Sequence, residues 1–390
     1  MGEGRATGKN ENSETSQKCL KKDGSTNMTK EIHKIIDGDG HVVEDHAAIG
    51  ARMPDEYRDR FGVGRGAYPP NDHLHAANAH TLPPGSFAKV GREGWIEFME
   101  DVGLASAVLY PTNGLSFGRI VSRDWAIELA RAYNDWMHDE YLSKSSRFQA
   151  LGLIPLQEPA EAVKELRRIV KELGFCGAML PSTGAVGQQN QLGDERYWPI
   201  YEEANRLGCC IGIHGGVHDH MGMDDMSPYA PINALGHPFG QMVNFAGILF
   251  NGVFDKYPKV RFGFMEAGSG WLVNCIERFE RSWNSHVQHD PRGRFLKLRD
   301  KESITDYVKR HVDEDRIFVG VEGDELTLPF AVSVVGNKPF IFSSDFPHEV
   351  NNETCKAELE ELDENGRLTK ADKDAVRYRN AERFYGLSGD

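Results

Sequence analysis

The sequence is short of the features that mark extracellular, membrane-bound or nucleic-acid-binding proteins. Its 390 residues include six cysteines, Cys19, Cys176, Cys209, Cys210, Cys275 and Cys355, with no C-x-x-C spacing. Neither a disulfide framework nor a thiolate zinc site is expected, and these side chains read as small buried hydrophobes. No apolar run approaches the ~18 residues of a membrane-crossing helix, and the N-terminal stretch lacks the apolar core of about 7–15 residues that a secretory signal needs. A cytoplasmic location is therefore expected. Dense Lys and Arg runs are also missing. The 45 basic side chains face 59 acidic ones, and a formal net charge of −14 repels phosphate backbones and anionic lipid headgroups. Nucleic acid and membrane surface are accordingly not expected as partners. A G-x-G-x-x-G loop is absent too: Gly215-Gly216 and Gly268-Ser269-Gly270 read as strand-to-helix turns.

What is present is the composition of a globular chain, 39% hydrophobic and 27% charged. Residues 1–31, rich in Gly, Ser, Thr, Asn, Lys and Glu, have almost nothing apolar to bury and read as a disordered tail. Residues 32–390 alternate short apolar runs with amphipathic segments. Strands are expected at 35–37, 105–110, 149–155, 177–180, 209–214, 260–265, 317–321 and 340–343. Helices are expected at 124–139, 159–173, 195–207, 241–254, 271–283, 304–311, 325–335, 353–362 and 370–385. Near-continuous apolar strands imply burial on both faces, and intervening helices imply parallel pairing through right-handed crossovers. Eight such units predict a single (β/α)8, or TIM, barrel. The segment Ala51 to Gly94, rich in Pro, Gly, Asn and His, reads as a long loop excursion over the barrel top after strand one.

In such a barrel the functional side chains project from the C-terminal ends of the strands. Strand one ends Asp37-Gly38-Asp39-Gly40-His41, strand five His214-Gly215-Gly216, strand six Glu266-Ala267-Gly268, and strand eight Ser344-Asp345-Phe346-Pro347-His348. Asp39 and His41, two apart on extended chain, point the same way. Two imidazoles and two carboxylates meeting at one point would perturb each other strongly unless a divalent cation compensated them. Asp39, His41, His214 and Asp345 are therefore expected to converge on a metal, with Glu266 aimed at the same mouth as a further ligand. An ion pair from Arg278 or Arg281 is the structural alternative for Glu266. Glu322, Glu325, His348 and Glu349 are candidates for a second metal site, with helix capping by Glu325 and hydrogen bonding by His348 as their structural alternatives. His218, His220 and His237 read equally as pocket-lining or solvated, His73, His75 and His80 as solvated loop residues, and Trp125, Tyr133 and Trp136 as a buried helix face.

These motifs, with the closing Asn380-Ala381-Glu382-Arg383-Phe384-Tyr385-Gly386, resemble the amidohydrolase superfamily over residues 35–387. The resemblance is to the amidohydrolase-related branch that contains aminocarboxymuconate-semialdehyde decarboxylase and other metal-dependent hydrolases and decarboxylases. It implies that His41, His214 and Asp345 hold the metal, with Asp39 where the family's pattern has the first His of a strand-one pair. Glu266 replaces a strand-six His, and no lysine follows strand four to bridge two metals. More oxygen in the donor set favours manganese or iron, with zinc still open, at one or two ions per chain. The implied function is a metal-dependent hydrolase or non-oxidative decarboxylase acting on a small carboxylate or amide. Asp345 would accept a proton from the activated water, Glu266 would act as a second acid or base, and His348 would assist. The alternative is a dinuclear iron, or iron/manganese, monooxygenase on the same fold. A small-molecule substrate and a homo-oligomer, a dimer, are the expected partners.

Overall fold

Eight runs of β-branched, aromatic and small residues form the strands β1 (Ile36–Val42), β2 (Ser106–Pro111), β3 (Phe148–Leu153), β4 (Gly177–Pro181), β5 (Cys210–His214), β6 (Arg261–Phe264), β7 (Ile317–Val321) and β8 (Phe340–Phe342). This computed structural model describes Met1 and residues 34–58, 66–71, 84–186, 191–286 and 289–387. The expected tail at 1–31 and His73, His75 and His80 lie outside the described residues. The sheet order is β1-β2-β3-β4-β5-β6-β7-β8, each successive pair parallel. The β1–β8 seam is joined by His41 N–H donating to the Phe346 carbonyl at 2.7 Å and Asp345 N–H to the Asp39 carbonyl at 3.0 Å. The buried Asp37 carboxylate adds two acceptors to this seam, for Ser344 N–H at 2.9 Å and Ser344 Oγ at 2.6 Å. The architecture is a (β/α)8 barrel with its strands buried on both faces.

The helices are α1 (His46–Gly50), α2 (Asp55–Arg58), α3 (Gly91–Val102), α4 (Arg123–Met137), α5 (Pro159–Lys171), α6 (Trp198–Leu207), α7 (Ala230–Phe250), α8 (Val253–Lys256), α9 (Gly270–Ser285), α10 (Ile304–Asp313), α11 (Leu328–Val335), α12 (Asn352–Glu364), α13 (Lys370–Asp374) and α14 (Asn380–Tyr385). Tyr133 and Trp136 lie buried on α4, as the helical spacing of that group suggests.

The helices differ from the sequence reading in three places, two of them with a clear physical cause. First, α3 was not expected, yet Trp95, Phe98 and Met99 bury one helical face against the barrel. Second, α7 begins eleven residues before the expected Gln241, at Ala230. Gly236, Pro238 and Gly240 are poor helix formers, but added Cβ atoms on the two glycines would meet His218 Cγ at 2.2 Å and Ser182 Oγ at 2.7 Å, so close packing overrides propensity. Third, the expected helix 370–385 is interrupted by a π turn at Ala375–Arg379.

The tip of β1 is shaped by its glycines. Its register against β2 slips between Asp37 and Gly40, the mark of a β-bulge that re-aims side chains. A Cβ on Gly38 would lie 2.2 Å from Ile341 Cγ2, and one on Gly40 2.3 Å from the Trp95 ring. The Trp95 indole N–H in turn donates to the His41 carbonyl at 3.0 Å. Gly40→Ala is expected to cost about 1–3 kcal/mol by overpacking and to displace His41. Equilibrium urea unfolding measures it, and an unchanged midpoint would refute this account of the bulge.

Candidate metal centre

β1, β5 and β8 deliver four of the expected residues to one end of the barrel. Donor atoms of Asp39, His41 and His214 lie within 4.8 Å of one another, and so do those of His41, Asp345 and His348. His214 Nε2 is 3.2 Å from Asp39 Oδ1, and His41 Nε2 is 3.3 Å from Asp345 Oδ1. The two imidazoles are held from behind: His41 Nδ1 lies 2.9 Å from the Pro111 carbonyl and His214 Nδ1 2.9 Å from the Gly215 carbonyl. A ring that donates Nδ1–H to a carbonyl presents Nε2 as a lone pair, the arrangement that orients a metal-ligating histidine.

The donor set fits a divalent cation. Both Asp39 oxygens, His41 Nε2, His214 Nε2 and Asp345 Oδ1 are buried without an aligned hydrogen bond. Burial raises the Asp39 and Asp345 carboxyls above their ordinary values. Burial, helped by His348 and His214, holds the His41 imidazole well below its own. At His214 burial works in the same direction, but the Asp39 carboxylate outweighs it and lifts the imidazole to about 10. Without a cation the two carboxyls thus resist the ionised form and His214 the neutral form that ligation needs, whereas His41 is already held neutral, and leaving such groups unpaired would be costly.

Glu266 stands apart from both donor groups. Its Oε2 is 3.4 Å from His214 Nδ1 and 3.0 Å from His237 Nδ1, so its neighbours are imidazoles and not Arg278 or Arg281. Despite burial, His237 and then His214 hold this carboxyl well below the usual carboxylate range. Gln241 of α7 spaces the strand tips, donating Nε2–H to the carbonyls of Ile213 and Met265 at 3.0 and 2.9 Å. Both Glu266 and Asp345 adopt left-handed backbone, φ 54° and 57°, which disfavours side-chain-bearing residues and is concentrated at functional sites.

His348 Nδ1 lies 2.8 Å from Asp345 Oδ1, and its Nε2 lies 2.9 Å from Thr112 Oγ1. Its ring stacks on His41 and on Phe87, at centroid distances of 4.1 and 4.9 Å. Glu325 has a structural task instead: its carboxylate accepts from Ser269 N–H at 2.7 Å, Ser269 Oγ at 2.6 Å and Glu322 N–H at 3.0 Å. It pins the turn after β6 and does not cap α11. A cavity of about 280 Å³ opens beside the centre, lined by Asn71, Thr112, Asn113, Asn233, His237 and Glu266 among others. His237 is therefore pocket-lining, whereas His220 is exposed. The sequence reading missed Thr112 and Asn113, although both follow the end of β2, and it missed Glu44. The Glu44 carboxylate, buried after β1, accepts from Asn113 N–H at 2.9 Å and Gly114 N–H at 2.7 Å and braces that loop.

The family model for amidohydrolases matches residues 36–387. The chain belongs to the amidohydrolase family. This amidohydrolase is 26% identical over 276 residues to 2-amino-3-carboxymuconate-6-semialdehyde decarboxylase of Dictyostelium discoideum, covering 71% of each chain. It is 25% identical over 303 residues to gamma-resorcylate decarboxylase of Polaromonas sp., covering 75% of this chain and 86% of that one. Among solved structures, a 5-carboxyvanillate decarboxylase from Novosphingobium aromaticivorans with bound manganese superposes at a TM-score of 0.69 with 20% identity, over 91% of this chain and 97% of the other. A dihydroxybenzoic acid decarboxylase from Polaromonas sp., with bound manganese and 2-nitroresorcinol, gives 0.64 at 19% identity over the same shares. All four of these relatives are decarboxylases, and the two solved structures hold manganese. Among the described residues of this amidohydrolase, no helix is long and apolar enough to cross a membrane.

Proposed function

We propose that this amidohydrolase is a manganese-dependent, non-oxidative decarboxylase of a small hydroxylated aromatic carboxylate. The observation that carries the reading is the set of buried donor atoms without aligned partners on Asp39, His41, His214 and Asp345, beside a cavity that Glu266 and His348 line. Decarboxylase relatives and manganese-bearing structural neighbours support it. Asp39, His41, His214 and Asp345 would hold the cation, which supplies positive charge to draw in and polarise the substrate carboxylate.

The reaction replaces a carboxylate by hydrogen: the carbon takes a proton, the C–C bond breaks, and carbon dioxide leaves while the bonding pair returns to the ring. Two proton-handling groups serve such a step. Asp345, with His348 Nδ1 2.8 Å from its Oδ1, delivers the proton to carbon. Glu266, on another strand tip of the same mouth, accepts the proton of a ring hydroxyl, enriches the ring for protonation, and returns that proton when carbon dioxide has gone. Thr112 and Phe87 keep the His348 ring from turning.

The test is carbon dioxide release from 2,6-dihydroxybenzoate and 5-carboxyvanillate by manganese-loaded protein under nitrogen, alongside metal analysis. Oxygen-independent release is expected. Turnover that needs iron, oxygen and a reductant, or ester and amide hydrolysis with no decarboxylation, would overturn the reading.

A further inference from the structure

We propose that His237 of α7, backed by His218, is the positioning residue of the site and fixes the Glu266 carboxylate against the substrate cavity. The task this carboxylate performs rests on the decarboxylase reading, but the arrangement itself does not.

Three side chains, Glu266, His237 and His218, follow one another in contact. Glu266 Oε2 lies 3.0 Å from His237 Nδ1, and His237 Nε2 lies 3.2 Å from His218 Nε2, with the two rings edge to face at 4.4 Å. One proton must lie between the two Nε2 atoms. If His237 supplied it from a neutral ring, the His237 Nδ1 lone pair would face a carboxylate oxygen at 3.0 Å, two electron-rich atoms in contact. His237 therefore carries a proton on Nδ1, directed to Glu266, and its Nε2 contact with His218 backs the ring from the other side. The Nδ1–Oε2 contact is at hydrogen-bond distance but off its axis. Catalytic hydrogen bonds are commonly loose without substrate and tighten in the substrate complex.

The backbone is shaped around this pair. A Cβ on Gly215 would lie 2.3 Å from His237 Nδ1, and one on Gly236 would lie 2.2 Å from His218 Cγ. Any other residue at either position would push an imidazole out of line. His237 and Gln241 sit one helical turn apart on α7, so the element that spaces the β5 and β6 tips also carries the imidazole that faces Glu266. His218 is almost fully buried, at 1% exposure, which suits a support and not a ligand-binding group.

The experiment compares His237→Gln, which keeps an N–H donor, with His237→Leu, which removes it. In both, bound manganese and thermal midpoint should match wild type. The Leu variant should lose roughly 10–100-fold in kcat with KM near its wild-type value, and the Gln variant should regain most of that loss. Independently of turnover, nitrogen NMR of 15N-histidine-labelled protein, with the His237 signals identified by their absence in His237→Gln, should show a proton on Nδ1 that shifts on Glu266→Gln. A proton on Nε2 alone, full kcat in the Leu variant, equal losses in both variants, or loss of metal from either would overturn the proposal. If the NMR result holds and no aromatic carboxylate is turned over, the decarboxylase reading fails and the positioning role stands.

Discussion

His214→Ala is expected to empty the metal centre and to abolish measurable turnover. The imidazole comes from the end of β5, is anchored through Nδ1 at the Gly215 carbonyl, and presents Nε2 3.2 Å from Asp39. Alanine leaves the Asp39 carboxylate buried and facing a void, with the His41 imidazole, 3.7 Å from its Oδ1, as its remaining neighbour and no shared ion. A cation in such a site contributes several kcal/mol to charge stabilisation, and about 4 kcal/mol corresponds to a ~10³-fold change in rate. Metal content by mass spectrometry and kcat/KM should fall together. Chelation of the wild-type protein should lower its thermal midpoint and manganese should restore it, since a ligand at 1,000 times its Kd stabilises by about 4 kcal/mol. The variant should respond to neither treatment. Full metal content in His214→Ala would mean that the site is misassigned.

Glu266→Gln should separate proton handling from ligation. The substitution keeps the shape of the side chain and its contact with His237, but it removes the charge that accepts a proton. A loss of about 10²–10⁴-fold in kcat with manganese retained is the expected result, the usual range for a general acid or base. Loss of metal would return Glu266 to the ligand set that its place on the β6 tip first suggested. Unchanged turnover with unchanged metal would remove it from the chemistry altogether. Asp345→Asn, in contrast, should reduce both metal content and turnover, because Asp345 Oδ1 lies within the His41 and His348 donor group.

The fold was legible because a buried parallel strand is a local signal: a short apolar run bounded by turns and followed by a helical period. β7 at Ile317–Val321 matches the sequence reading residue for residue, and β5 and β8 differ by one. Strand ends are legible for the same reason, so Asp39, His41, His214, Glu266 and Asp345 could be named in advance. α3 and the start of α7 were hidden because Gly and Pro obscured a periodicity that tertiary packing nevertheless supports.

The sequence by itself determined the order of the barrel units and which residues stand at the strand tips, since both are written in neighbours a few positions apart. Only the tertiary structure decided what those residues meet. Glu266 found His237, 29 positions earlier, and His348 found Thr112, 236 positions away. The left-handed backbone at Glu266 and Asp345, the bulge that re-aims Asp39, and the glycine-lined space for His218 and His237 belong to the same class. Each depends on what arrives from elsewhere in the chain once the barrel closes, and close packing rather than local propensity sets it.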